Sequence, residues 1–234
     1  MALSDEKILQ EKAAGNIIIE PFQKEHLGTA SYDVTLGKHF FAEQTPEQDP
    51  SDEVIVLDPG ETILAHTQEF IGGRNTITTM MKARSSLGRN FIEVCKCAGW
   101  GDVGYTGRWT MEITNNSRHY SIPLVVGRRV AQIIFFATGE IRDTDYTDDG
   151  KYQTEDRLET LKENWHPKQM LPKMYEDREV TNNKITMEKQ LQQRKEFNEA
   201  YECLTQESPK FPKKDIQELQ EELIAEELEE FRQA

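Results

Sequence analysis

Long apolar runs are missing from these 234 residues. The longest, Val130–Ala137, is interrupted by Gln132 and falls far short of the ~20 residues that cross a bilayer as a helix. The opening MALSDEKILQEK puts acids where a secretory signal carries its apolar core. Cysteine is scarce as well. Cys95, Cys97 and Cys203 make no disulfide framework and point to a reducing compartment, so a cytoplasmic protein without a membrane partner is expected. Basic charge is also in short supply: 28 Lys and Arg against 42 Asp and Glu leave a net charge of −14. That balance argues against nucleic acid, whose binding needs clustered cations, but leaves room for a small phosphorylated ligand. Glycine disappears part-way along: all 14 lie between Gly15 and Gly150. Turn-rich folds need glycine and helices avoid it, so the chain divides by composition.

The first part, 1–153, reads as a β-rich domain. Ser4 can cap a short helix to Ala14, with Asp5 and Glu6 in its first turn and Gly15 as its stop. A strand, NIIIEPF, follows and ends at Pro21. From Tyr32 onward short runs rich in Val, Ile, Thr and aromatics alternate with turns: YDVTLG, EVIVLDPGE, ETILAHTQEF, NTITTMM, FIEVCKCAG, RWTMEITN, SIPLVV and RVAQIIFF. This pattern indicates a sandwich or barrel and argues against a doubly wound α/β fold. Residues 154–183, with Pro167, Pro172 and scattered apolar anchors such as Trp165, Met170 and Met174, read as a linker or a strap. Helical patterns return over 185–200 and 215–234, within a helical segment 184–234.

Three segments of the β domain carry chemistry. Lys82–Arg89 (KARSSLGR) gathers three cations and two hydroxyls around a glycine, a set suited to phosphate, although a solvated turn is the other reading. Ala98–Gly107 (AGWGDVGYTG) brackets Asp102 and Tyr105 with glycines. It suits a sugar stacked on Tyr105 with a hydroxyl donating to Asp102, or an ordinary hairpin turn. In Arg108–Asn115 (RWTMEITN), strand alternation puts Trp109, Met111 and Ile113 on one face and Thr110, Glu112 and Thr114 on the other. Glu112 is the carboxylate best placed to face a ligand, its alternative being a solvent-facing strand residue.

Together these segments resemble the dCTP deaminase family of the trimeric dUTPase-like superfamily. The resemblance runs from about Leu3 to Gln153 through LSDEKI, IIIEPF, ASYDVTLG, LDPGETILAHTQEF, ARSSLGR, AGWGDVGYTGRWTMEITN, GRRVAQIIFF and GKYQ. It implies a mainly β fold, a dUTPase-like distorted jelly roll or β-clip. It implies that Glu112 shuttles protons among a water, the ring nitrogen and leaving ammonia. Ser85 and Arg89 would orient that water and hold the nucleotide, with the Ala98 carbonyl as acceptor. Arg84, Ser86, Gln132, Tyr146 and Lys151 fall at phosphate contacts, and Lys82, Leu87, Gly88, Thr110 and Met111 fall along the nucleotide site. Asp102 matches the contact to the 3′-hydroxyl, and Tyr105 would crowd a 2′-hydroxyl. Magnesium is expected on the triphosphate, without zinc, and the ligands are dCTP, dUTP and dTTP-type deoxynucleotides. The sites would lie between the subunits of a homotrimer.

The residues are compatible with that chemistry. Zinc deaminases carry H-x-E and P-C-x-x-C; here none of the five histidines is followed by Glu two places later, and Cys95–Lys96–Cys97 is C-x-C, more suited to strand packing than to a metal. A site without that metal needs a carboxylate of raised pKa and preorganised donors, the role open to Glu112. Trimeric dUTPases place an apolar residue at the Glu112 position and close with a glycine-rich arm, so a pure dUTPase is the weaker match. Deamination to dUTP ranks first. A bifunctional enzyme giving dUMP and pyrophosphate, which shares AGW before the aspartate and uses the residue matching Asp102 on a second water, ranks second. A non-catalytic nucleotide sensor is the third reading. Glu155 stands near the position of a family glutamine, and an acid there would repel a triphosphate.

In DIQELQEELIAEELEEFRQA, Glu227 falls near the centre of the apolar stripe, with Glu226 and Glu230 beside it, an arrangement that is costly unless the carboxylates are paired or bind metal. This segment, with ITMEKQLQQRKEFNEAY before it, resembles the opening of a MazG-like nucleotide pyrophosphohydrolase, in which E-E-x-x-E binds magnesium together with a later E-x-x-D. No E-x-x-D follows Glu230 in these residues, so a truncated or vestigial module, or an oligomerisation element, is expected, and no activity is assigned to it.

Overall fold

The Ser4 hydroxyl accepts the Lys7 backbone N–H at 3.3 Å and caps the first helix, α1 (Asp5–Ala13). The computed structural model describes residues 1–42, 53–153 and 155–176. After α1 come β1 (Ile17–Glu20), β2 (Tyr32–Ala42), β3 (Val54–Leu57), β4 (Thr62–Gly73), β5 (Ile77–Ala83), the short α2 (Ser85–Gly88) and β6 (Ile92–Val94). They are followed by β7 (Trp100–Gly101), β8 (Thr106–Asn115), β9 (Ile122–Val125), β10 (Arg129–Ala137), α3 (Tyr146–Asp149) and α4 (Leu158–Asn164). The expected β-runs all contain strands; β7, two residues long, was not foreseen.

The fold is mainly β, as expected. Strands pair antiparallel in the order β6-β8-β4-β2-β10-β5-β7, with β1 also on β4, and β3 and β9 form a separate ribbon. The main sheet curls at β2. Its first half pairs with β10 (Ile133↔Tyr32, Gln132↔Asp33), and its second half pairs with β4 (Phe40↔Ala65, Ala42↔Ile63) after a register shift beyond Leu36. Gly37 sits at that bend, where a Cβ would fall 2.0 Å from Cε1 of His66, so only glycine lets the two strands approach this closely. Inside the curl, Tyr32, Leu36, Ile63, Ile71, Met81, Met111, Ile113 and Phe135 are fully buried. Each such side chain stabilises the fold by roughly 1.5–3 kcal/mol relative to exposure.

The chain forms two compact units, 1–173 and 174–234. Residues 155–173 therefore belong with the β domain. They form α4, which the sparse apolar pattern did not announce, and a 3-10 turn, Pro167–Met170, whose Met170 is buried. Of the second unit, Met174–Glu176 forms a 3-10 turn. The helices expected over 185–200 and 215–234 lie outside the described residues, and Glu226, Glu227, Glu230 and Cys203 with them. Among the described residues no helix is long and apolar enough to cross a membrane.

Candidate active site

β8 supplies one wall of the site. It pairs with β4 in the register Leu64↔Glu112, His66↔Thr110 and Phe70↔Arg108. Its alternation follows the expected one as far as Ile113: Trp109, Met111 and Ile113 are buried and Thr110 and Glu112 only partly so, as is Arg108, but Thr114, expected on the outward face, is buried. The Trp109 indole N–H donates to the Ile71 carbonyl at 2.9 Å and locks the inward face. On the other edge of β8, the Cys95 N–H donates to the Glu112 carbonyl at 2.9 Å. Cys95 and Lys96 both have positive φ, 64° and 39°, and the Ala98 N–H closes that turn on the Cys95 carbonyl at 2.7 Å. The Cys95 thiol is buried against the Met81 sulfur; burial first, and then the Glu112 charge, push its pKa up to about 12. Cys97 is exposed.

A second wall comes from the turn Asp102–Tyr105, closed by the Tyr105 N–H on the Asp102 carbonyl at 3.1 Å and passing through Gly104 at φ +95°. Asp102 is exposed. The Tyr105 ring meets Trp109 and Tyr146 edge-on, with centroids at 5.2 and 5.4 Å, and burial raises its pKa. The Tyr146 N–H donates to the Val103 carbonyl at 2.9 Å, which pins α3 to the turn.

The third wall is the segment after α3. Gln153 is buried; its carboxamide accepts the Thr106 N–H and donates to the Gly104 carbonyl. Trp165 then lays its ring against His66, with centroids at 4.6 Å, and under the Arg108 guanidinium, also at 4.6 Å. Burial drives the His66 pKa down to about 4.

These walls enclose a cleft of about 760 Å³, within the range of small-molecule sites. Of the residues singled out from the sequence, it brings together Ala98, Asp102, Tyr105, Thr110, Glu112, Tyr146 and Lys151. It does not bring in the KARSSLGR segment of the same chain. Ser86 and Leu87 line a separate groove of about 210 Å³ with Asn90, Pro123 and Arg128. Lys82, Ser85, Gly88 and Arg89 are exposed. Lys82 stands opposite Gln132 across β5 and β10. Arg84 pairs with Asp33 at 3.2 Å, and Arg129 reaches the same carboxylate at 3.2 Å. The Met111 side chain lies in the core, so at most its backbone faces a ligand.

Glu155 lines the cleft, but its carboxylate is engaged locally. It accepts the Arg157 backbone N–H at 2.8 Å and the Asp156 N–H at 3.0 Å, and pairs with the Arg157 side chain at 3.4 Å. These bonds, led by the Arg157 N–H, hold its pKa at about 2. Among the cleft residues given no site role from the sequence are Arg108, Gln153 and Trp165. Arg108 was detectable, because alternation back from Glu112 through Thr110 puts it on the same face. Trp165 and its partner His66 are about a hundred residues apart, and no local pattern links them.

A profile of dCTP deaminase-like proteins matches residues 2–138. The chain belongs to that family. A dCTP deaminase, dUMP-forming, from a Hydrogenobaculum species is 37% identical over 154 residues, covering 60% of this chain and 85% of the relative. One of the same name from Methanopyrus kandleri is 34% identical over 178 residues, covering 66% and 92%. Among solved structures, 2′-deoxycytidine 5′-triphosphate deaminase from Agrobacterium tumefaciens aligns at 21% identity with a TM-score of 0.49, over 57% of this chain and 47% of that one. The dCTP deaminase-like domain thus includes β1 to β10, with Glu112, Asp102 and Ala98 inside the matched span.

Proposed function

We propose that this protein deaminates dCTP hydrolytically and then removes pyrophosphate, leaving dUMP. The observation that carries the reading is the meeting of Glu112, Asp102 and Tyr105 in one cleft of nucleotide size. The sequence alone ranked dUTP first as the product; the dUMP-forming names of the relatives favour the longer reaction.

In the first step the Glu112 carboxylate takes a proton from a water and hands it to the ring nitrogen as the hydroxide bonds to C4. It then takes the remaining proton of the C4 hydroxyl and delivers it to the amine, which leaves as ammonia while the C4 carbonyl forms. The Ala98 carbonyl accepts from that water. Thr110 and the Met111 backbone border the base. Tyr105, fixed between Trp109 and Tyr146, crowds a 2′-hydroxyl and selects deoxyribose, and Asp102 accepts from the 3′-hydroxyl. In the second step Asp102 orients another water toward the α-phosphorus, and pyrophosphate leaves. Tyr146 and Lys151 hold phosphates from within the cleft.

Lys82, Arg84, Ser85, Ser86, Leu87, Gly88, Arg89 and Gln132 lie off the cleft lining of their own chain. In this reading a second copy presents them, which is why the active assembly is proposed as a homotrimer in the cytoplasm. Among the described residues no cluster of three or more His, Cys, Asp or Glu side chains is assembled. Magnesium is proposed to arrive on the triphosphate oxygens, where it neutralises charge.

The test is incubation with dCTP and magnesium, with ammonia, dUTP, dUMP and pyrophosphate each quantified. Ammonia and dUMP in equal amounts support the proposal. Accumulating dUTP restricts the activity to deamination, and binding without ammonia release overturns it.

A further inference from the structure

Arg108 has no part in the mechanism above, yet it is the most unusual cation of the cleft. Its guanidinium lies between two rings, 5.1 Å from the Phe70 centroid and 4.6 Å from that of Trp165. Its Nε is buried and has no hydrogen-bond acceptor. Among the described residues no carboxylate pairs with it. The nearby buried acid Glu69 is already engaged, accepting from the Thr35 N–H at 2.9 Å and from its hydroxyl at 2.8 Å. Burial pulls the Arg108 pKa below its ordinary value.

Ring stacking satisfies the faces of a guanidinium but none of its five in-plane N–H donors. A buried N–H without an acceptor, as at the Arg108 Nε, is costly, and an oxyanion relieves that cost through charge-assisted bonds that can be bidentate where a terminal nitrogen also reaches it. Arg108 also lines the cleft that holds Glu112. The two lie on the same face of β8, four residues and so about 13 Å of strand apart, comparable to the reach of an extended nucleoside triphosphate.

We propose that Arg108 is an oxyanion-binding residue of the cleft, taking a phosphate of the nucleotide's polyphosphate chain at the end of β8 remote from Glu112. The inference rests on the nucleotide reading of the cleft and adds a phosphate contact contributed by the same strand that carries the proton shuttle. The other role open to Arg108 is purely structural, a latch that holds Trp165 over β4.

Two measurements separate these roles. Inorganic tripolyphosphate, dCTP and deoxycytidine are titrated calorimetrically into the full-length protein, into Arg108→Met, which keeps the stacked length, and into Arg108→Lys, which keeps the charge. In parallel, the Arg108 Nε–H resonance of the wild type is followed by NMR as tripolyphosphate is added. The expected result is a tenfold or greater loss of tripolyphosphate and dCTP affinity in Arg108→Met, a smaller loss in Arg108→Lys and unchanged deoxycytidine affinity. The wild-type resonance should move with saturation. Equal losses for deoxycytidine, or a resonance that tripolyphosphate leaves in place, would overturn the proposal; the second readout needs no variant to fold. If the wild type makes dUMP while tripolyphosphate affinity ignores Arg108, the phosphate role alone fails. If dCTP is not turned over but tripolyphosphate still binds through Arg108, the anion site stands and the deaminase reading fails.

Discussion

The Gln153 carboxamide oxygen accepts the Thr106 backbone N–H at 2.6 Å. Its nitrogen donates to the carbonyls of Gly104 and Glu155, both at 3.0 Å. One buried side chain thus joins the start of β8, the turn carrying Asp102 and Tyr105, and the segment leading to α4. Gln153→Leu keeps the volume but strands the Thr106 donor and the Gly104 acceptor. A loss of about 1–3 kcal/mol is expected. Hydrogen exchange over 145–173 should accelerate while β1 and β2 keep their protection; an unchanged exchange pattern would show that other contacts hold the segment.

Glu112 projects from a strand whose opposite face is core, so its charge is not needed for folding. Glu112→Gln preserves shape and cannot accept the water's proton. Ammonia release from dCTP should fall by roughly 10²–10⁴-fold, the usual worth of a positioned acid–base group. Unfolding free energy should stay within about 0.5 kcal/mol of wild type. Turnover at the wild-type rate would remove Glu112 from the chemistry.

His66 gives the domain a defined acid sensitivity. Its Nδ1–H donates to the Thr67 carbonyl at 2.7 Å, which leaves Nε2 to accept the His39 N–H at 3.3 Å, so the folded site holds the neutral ring. Burial is the main cause of its low pKa, the Thr67 carbonyl opposes it, and the charges of Arg108 and His39 add to it. Because the folded pKa of about 4 lies below the ordinary 6.5, the unfolded chain binds the extra proton between those values. Stability from His66 is therefore complete above pH 6.5 and declines as pH falls toward 4, by on the order of 3 kcal/mol at most. Urea unfolding from pH 7.5 to 4.5 should show this decline, and His66→Phe should flatten it. A His66 ring that titrates near 6.5 by NMR would refute the assignment.

Much of this architecture was legible because the β domain follows local rules. Alternation in RWTMEITN gave the inward Trp109, Met111 and Ile113 and the outward Glu112, and Ser4 with Asp5 and Glu6 announced α1. What stayed hidden depends on pairings distant in sequence. Trp165 looked like an anchor in a polar linker until it met His66 and Arg108. Glu155 looked like a repulsive acid, but the backbone turn to Arg157 occupies its oxygens. The resemblance assigned Lys82–Arg89 to the same nucleotide site as Glu112, yet α2 carries Ser86 and Leu87 to a different groove of their own chain, because spacing along the chain does not specify which surface a loop joins.

The turn between Asp102 and Tyr105 offers a last test, since it couples these two residues to α3. Gly104 has φ +95°, a conformation that costs an L side chain about 1 kcal/mol. A Cβ there would also lie 2.7 Å from Cγ of Asp145. That carboxylate caps α3 by accepting the Thr147 N–H at 2.8 Å, so it cannot retreat without uncapping the helix that holds Tyr146. Gly104→Ala should therefore cost about 2–3 kcal/mol from backbone strain and the lost cap together, and should raise KM for dCTP as Tyr146 and Tyr105 shift. Asp145→Ser shortens the capping side chain and relieves the crowding but not the strain. In the double variant, KM should return most of the way to that of Asp145→Ser alone while roughly 1 kcal/mol of stability stays lost. If the double variant is as impaired in KM as Gly104→Ala, the turn acts through its own backbone and not through the α3 cap.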